Sequence, residues 1–162
     1  MKDTQGRQQD GEFVIGVISD THGLLRPEAV AALAGVNHIL HAGDVGDAAI
    51  LDRLRALAPL TAIRGNVDTV GRCGELPGTE AVELGGQTFY LVHAIEDLDI
   101  DPRAAGVAAV VYGHSHQPAI EERNGVLYLN PGSAGPRRFN LPVTVAKVRI
   151  AQGKLGPGIV PL

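Results

Sequence analysis

The 162 residues are 44% hydrophobic and 20% charged, enough for one well-buried domain and too few for two of ordinary size. A formal charge of −4 without a basic block leaves no electrostatic footprint for nucleic acid, and the lone cysteine, Cys73, excludes an internal disulfide or a thiolate cluster. No apolar run approaches the roughly 20 residues that cross a bilayer, and the polar opening MKDTQGRQQDG lacks the apolar core of a secretory signal, so a cytoplasmic protein with no membrane partner is expected.

In chain order, EFVIGVIS (12–19) is a near-continuous apolar run of strand length, as for a parallel strand covered on both faces, and it ends at Asp20. A helix opens at Pro27 and closes at Gly35. VNHILHA (36–42) is a second strand running into Gly43 and Asp44. Asp47 then caps a helix with Ile50, Leu51, Leu54 and Leu57 on one face, stopped by Pro59. LTAIR (60–64) is the third strand, followed by Gly65, Asn66 and a glycine- and proline-bearing loop. EAVEL and QTFYLV form a hairpin about Gly85 and Gly86, ending at His93. VAAVVY (107–112) is the fifth main run and delivers GHSH, with His114 and His116. A hairpin about Asn124–Gly125, the loop NPGSAGPRR and a last strand VTVAKVRI (143–150) complete the pattern. The first eleven residues are expected to be a disordered tail, with 12–162 forming one domain.

The polar interruptions share one location, the carboxyl ends of strands. Asp20 and His22 follow the first, Asp44 the second, Asn66 the third, His93 the fourth, and His114 and His116 the fifth. In an open α/β sheet such ends meet along one edge, where ligands bind. Seven imidazole, carboxylate and amide groups gathered there are expensive to desolvate without cations among them, and a pair of metal ions is the simplest resident. Taken singly, each residue is more often a turn-former or a satisfied polar group; five successive strand ends of this kind are hard to obtain from turn chemistry.

The ordered motifs DTHG, GD, GNVD, H and GHSH, followed by NPGS, resemble the signature of the calcineurin-like metallophosphoesterases, most closely their small bacterial and archaeal phosphodiesterases. The resemblance spans about residues 13 to 150. It implies an α/β fold, a four-layer αββα sandwich of two mixed β-sheets, with a dinuclear site at its edge. It places Asp20, His22 and His116 on one ion, Asn66, His93 and His114 on the other, and Asp44 between them. The two histidines of GHSH then serve different ions. Gly43, Gly65 and Gly113 are expected to leave room where the backbone crowds the ions. Manganese is the expected ion; iron, zinc, cobalt and nickel suit the same donors. Two carboxylates against two divalent cations leave positive charge for a bridging hydroxide and an anionic phosphate, hence in-line attack on phosphorus with Asp44, Asn66 and His93 at the centre of catalysis.

Two departures from the wider superfamily stand out. Val67 takes the place of a histidine thought to protonate the leaving oxygen, which predicts a preference for diesters or activated aryl esters over alkyl monoesters. VHAIED stands where HGH is frequent, which suggests a smaller, more open lid. Asp68 is expected to fix the Asn66 loop or a neighbouring histidine, and His38 and His41 to be structural. NPGS is expected either to present N–H groups to an anion or to be a plain turn. Arg64, Arg137 and Arg138 are left outside the catalytic set as surface groups. The expected partner is a small phosphoester, a cyclic nucleotide or other phosphodiester; nucleic acid is not expected, and the sequence does not fix the oligomeric state. The rival reading is a non-catalytic scaffold of the same fold acting through protein contacts, for which loss of the ligand histidines would be the mark. A nucleotide-binding α/β protein is disfavoured, because the first turn, SDTHG, lacks a glycine-rich phosphate loop.

Overall fold

The opening apolar run forms strand β1 (Glu12–Ile18), and its packing explains the missing polar alternation. Ile15 and Val17 enter one buried cluster and Ile18 another, so both faces are covered. A Cβ at Gly16 would stand 2.5 Å from Leu33 Cδ2 of helix α1 (Pro27–Leu33), so the glycine lets helix and strand approach. The protein is described from a computed structural model over residues 12–162; the tail expected over 1–11 lies outside these residues.

Strands and helices alternate through the first half: β2 (His38–His41), α2 (Ala48–Arg55), β3 (Leu60–Ala62) and a one-turn helix α3 (Gly71–Gly74). Asp47 caps α2 by accepting from the Ala49 N–H at 2.9 Å, and Ile50, Leu51 and Leu54 form its buried stripe. The second half is strand-rich, with β4 (Thr79–Leu84), β5 (Gln87–Val92), a 3-10 turn at Ile95–Asp97, β6 (Ala109–Val111), β7 (Ala119–Arg123), β8 (Val126–Asn130), β9 (Thr144–Ala151) and β10 (Lys154–Pro161). Two of these differ from the sequence reading. GRCG reads as loop because glycine stands at both ends, yet it makes the single turn of α3. KLGPGIVP carries two prolines and two glycines, which argue against a central strand; β10 is an edge strand, where proline is tolerated.

The strands build two five-stranded mixed sheets, ordered β10-β9-β1-β2-β3 and β4-β5-β6-β8-β7. In the first, β1, β2 and β3 run parallel while β9 and β10 are antiparallel additions. In the second, β5, β6 and β8 are parallel, flanked by antiparallel β4 and β7. The sheets bury Ile15, Val17 and Leu40 of one against Phe89, Leu91 and Val111 of the other. Helices α1 and α2 cover the outside of the first sheet through Leu33, Leu51 and Leu54. Over the second sheet, Ile95, Leu98 and Ile100 of the turn region pack on Tyr90, Val110, Tyr112 and Tyr128. The architecture is thus the α/β sandwich of two mixed sheets, its outermost layer on this side reduced to a turn and an irregular segment. The ends of β1, β2 and β3 belong to one sheet and those of β5 and β6 to the other. They therefore meet across the junction of the two sheets, at the edge of the sandwich.

Candidate metal centre

The ends of β1, β2 and β6 turn through an unusual backbone. Asp20, His22, Asp44, His114 and His116 adopt φ of 56°, 46°, 58°, 73° and 64°, the left-handed region that side-chain-bearing residues visit rarely. Such conformations cost on the order of 1–3 kcal/mol each and persist only where surroundings over-determine them. Here the loops brace one another: the Asp20 N–H donates to Gly43 O at 3.0 Å, His22 N–H to Asp44 O at 2.9 Å and Gly23 N–H to Val45 O at 2.9 Å.

The two carboxylates share one design, with one oxygen held by the chain and the other free. Asp20 Oδ2 accepts from Ser19 Oγ at 2.7 Å and from the His114 N–H at 3.0 Å, leaving Oδ1 3.4 Å from His116 Nε2 and 3.7 Å from His22 Nε2. Asp44 Oδ1 accepts from the Val67 N–H at 3.0 Å, leaving Oδ2 3.2 Å from His93 Nε2 and 3.4 Å from His22 Nε2. The side chains fall into two groups, Asp20–His22–His116 and Asp44–His93–His114, with the potential ligand atoms of each group within 4.8 Å of one another. The histidines of GHSH separate between them, the His116 ring lying 5.3 Å from that of His22 and the His114 ring 5.2 Å from that of His93. Asn66 joins His93 in lining an adjacent cavity of about 350 Å³. The structure therefore brings all seven sequence-selected residues to one region.

A cation fits what these groups lack. His93 Nδ1 lies 2.8 Å from Ala42 O, and a carbonyl only accepts, so Nδ1 carries the hydrogen and a neutral ring turns an Nε2 lone pair toward the Asp44 carboxylate. Asp20 Oδ1, His22 Nε2, His93 Nε2 and His116 Nδ1 are all buried without a hydrogen-bond partner. Buried orphaned acceptors are costly, and carboxylate with imidazole is a donor set that divalent transition ions favour. The shifts favour the carboxylate form of Asp44 and the neutral ring of His116, the forms that ligate, whereas at His93 they favour the protonated ring, with which a cation would compete. Burial acts to raise the Asp44 carboxyl, but His93, the Val67 N–H and His22 outweigh it and hold Asp44 below the usual carboxylate range. Burial acts to lower His93, yet the Asp44 carboxylate beside it, Ala42 O and Asp20 raise it, whereas burial dominates at His116 and lowers it.

Glycines beside the site make space for side chains of the site. A Cβ at Gly113 would collide with Ser19 Oγ and stand 2.6 Å from Asp20 Oδ2, and one at Gly43 would stand 2.6 Å from His93 Nδ1. Asp68, almost wholly buried, accepts from the N–H groups of Val45, Gly46 and Gly65 at 2.9–3.0 Å, tying the Asp44 and Asn66 loops together. His41 is structural: the Gly43 N–H donates to Nδ1 at 3.1 Å, Nε2 meets Thr21 Oγ1 at 3.0 Å, and Thr21 Oγ1 donates to Val45 O at 2.8 Å. His38 bonds Thr61 Oγ1 at 2.9 Å, away from both groups. NPGS acts as a brace: Asn130 Nδ2 donates to Gly113 O and Ser115 Oγ at 3.1 Å each, and Ser133 Oγ donates to Asp20 O at 3.0 Å. Sequence reasoning missed the supporting roles of Ser19, Asn130 and Ser133. The signals were the adjacency of Ser19 to Asp20 and the place of NPGS, with Asn130 and Ser133, at the end of the motif series.

Compared with known proteins, residues 13–153 match the profile of the calcineurin-like phosphoesterase superfamily domain. The chain belongs to that superfamily. Among this phosphoesterase family, a probable metallophosphoesterase of Methanothermobacter thermautotrophicus is 36% identical over 91% of this chain and 92% of its own length. The structure of an archaeal phosphodiesterase superposes with a TM-score of 0.79 at 24% identity, covering 93% of this chain and all of the other. Vps29 of Entamoeba histolytica, in a structure complexed with zinc, superposes with a TM-score of 0.67 at 23% identity over 92% of this chain and 99% of the other. These two structural likenesses concern the fold of the phosphoesterase chain.

Proposed function

We propose that the protein is a metal-dependent phosphodiesterase whose two side-chain groups hold a pair of divalent cations, manganese being the expected ion. The observation that carries this reading is the set of buried, unpartnered ligand atoms on Asp20, His22 and His93, with His116 Nε2 3.4 Å from Asp20 Oδ1. Asp20, His22 and His116 would hold one cation, and Asp44, His93 and His114 with Asn66 the other; Asp44 stands between the groups through Oδ2. Divalent cations bound there supply positive charge for phosphoryl oxygens and acidify water for in-line attack on phosphorus. The chain fixes the geometry: Ala42 O orients His93, the Val67 N–H aims Asp44, and the His114 N–H with Ser19 aims Asp20. No side chain of the chain is required as nucleophile. The substrate class is a small phosphodiester, cyclic nucleotides included.

The test is hydrolysis of bis(p-nitrophenyl) phosphate by chelator-stripped protein resupplied with manganese, iron, zinc, cobalt or nickel. Turnover is expected to require the ion. Asp44→Asn and His93→Ala are expected to lose roughly 100-fold or more of it while circular dichroism stays unchanged, and full activity in either variant rejects the site. The scaffold reading rests on likeness of fold to Vps29 alone. Because one Vps29 structure is complexed with zinc, metal uptake does not separate the readings, whereas ester turnover does.

A further inference from the structure

The cavity beside Asn66 and His93 contains chemistry that the metal-centred reading leaves unused. Its other walls include Arg64, Gly78, Thr79 and Asp97. Arg64 is held at two points: its backbone N–H donates to Pro77 O at 2.9 Å and its side-chain Nη1 donates to Leu76 O at 2.6 Å, while a Cβ at Gly78 would stand only 3.3 Å from Nη2. Its remaining nitrogens take no protein acceptor among the described residues. Asp97 closes the 3-10 turn after His93, within the VHAIED segment that departs from the wider superfamily. Neither Arg64 nor Asp97 has an ion-pair partner among the described residues, although both line one cavity. Both side chains are exposed, and an occupant that engages both offers an acceptor to the guanidinium and a donor to the carboxylate. A group that carries both a donor and an acceptor meets both side chains, whereas a bare aryl ring meets neither.

We propose that this cavity is the subsite for the non-reacting substituent of the phosphodiester, that Arg64 and Asp97 determine specificity there, and that they select a neutral, hydroxyl-bearing group of nucleoside size. The inference rests on the phosphodiesterase reading above and adds which ester the site prefers. A pocket of about 350 Å³ accommodates one such group, and its contact with Asn66 and His93 sets that group beside the phosphorus.

The experiment compares thymidine 5′-(p-nitrophenyl) phosphate with phenyl p-nitrophenyl phosphate, two diesters sharing a leaving group. The wild-type protein is expected to favour the thymidine ester in kcat/KM by about tenfold or more, with the difference mainly in KM. Asp97→Asn and Arg64→Met, both at exposed positions, are expected to bring that ratio close to one. An equal ratio in the wild type, or an undiminished ratio in both variants, overturns the subsite. If neither ester is hydrolysed with any divalent ion, the phosphodiesterase reading fails on its own terms. The subsite is then judged by calorimetric titration with thymidine 5′-monophosphate, where tighter binding to the wild type than to Asp97→Asn supports it and equal binding overturns it.

Discussion

Val67 is half-exposed at the mouth of the candidate centre, at 50% of its free surface, and its backbone N–H is engaged by Asp44. Its side chain has no proton to give, so in the proposed reaction the leaving group would rely on its own stability, on water or on another acid. A positioned general acid contributes typically 100- to 10,000-fold, so the wild type is expected to turn over an aryl diester on the order of 100-fold faster than an alkyl monoester. Val67→His is expected to narrow the gap. The measurement is kcat against leaving-group pKa across a series of esters; a flat dependence in the wild type would contradict the assignment. At this scale the sequence was informative about identity and silent about conformation. Every candidate residue is visible as a polar residue closing an apolar run, but nothing in the letters Asp or His announces φ of 46° to 73°. That conformation is braced by neighbouring loops: the carbonyls of Gly43 and Asp44 hold Asp20 and His22, Asp68 holds the N–H after Asp44, and Asp20 with Asn130 holds the GHSH loop.

The supporting elements divide between those that follow local rules and those that follow tertiary context. Strand β1, the capped helix α2 and the two hairpins are legible because continuous apolar runs, an Asp cap and turn glycines each act within a few residues. Strand β10 is not, because its prolines are acceptable only at the edge of a sheet whose order is fixed by pairing β9 with β1, over a hundred residues away. NPGS lies between these cases: a turn by composition, a brace by contact. Asn130 fastens the GHSH loop through Gly113 O and Ser115 Oγ. Asn130→Ala is therefore expected to leave far-ultraviolet circular dichroism unchanged while reducing metal affinity by about 10- to 100-fold, the range for residues that orient ligands. Calorimetric titration with manganese checks it, and unaltered affinity would make the brace irrelevant to the centre.

Across the whole molecule, the site is a joint between two sheets, and the stability of that joint depends on pH. His41 is fully buried behind the Asp20 and Asp44 loops. Burial drives its pKa down to about 4 from 6.5, against the pull of Asp20, Asp68 and Asp44, and its bond from the Gly43 N–H requires the neutral ring. The unfolded chain binds a proton at His41 below pH 6.5 that the folded chain refuses. Stability is thus whole above that pH, falls as pH drops toward about 4 and levels below it, with a contribution of about 3 kcal/mol. Urea unfolding of metal-free protein between pH 7 and 4 is expected to show this loss, and His41→Asn to show a shallower one; parallel slopes would refute the account.

The pairing of β1 with β9, Glu12 opposite Ala151, has a consequence for the order of assembly. During synthesis the strands on one side of the joint emerge first, then every strand of the opposite side, and only afterwards the pair that finishes the starting side. Until that late return, β1 presents a bare edge to any passing chain. Closing so long a loop makes folding slow relative to locally wired proteins. Ions held as proposed, with ligands from both sides, would accordingly be among the last components to arrive.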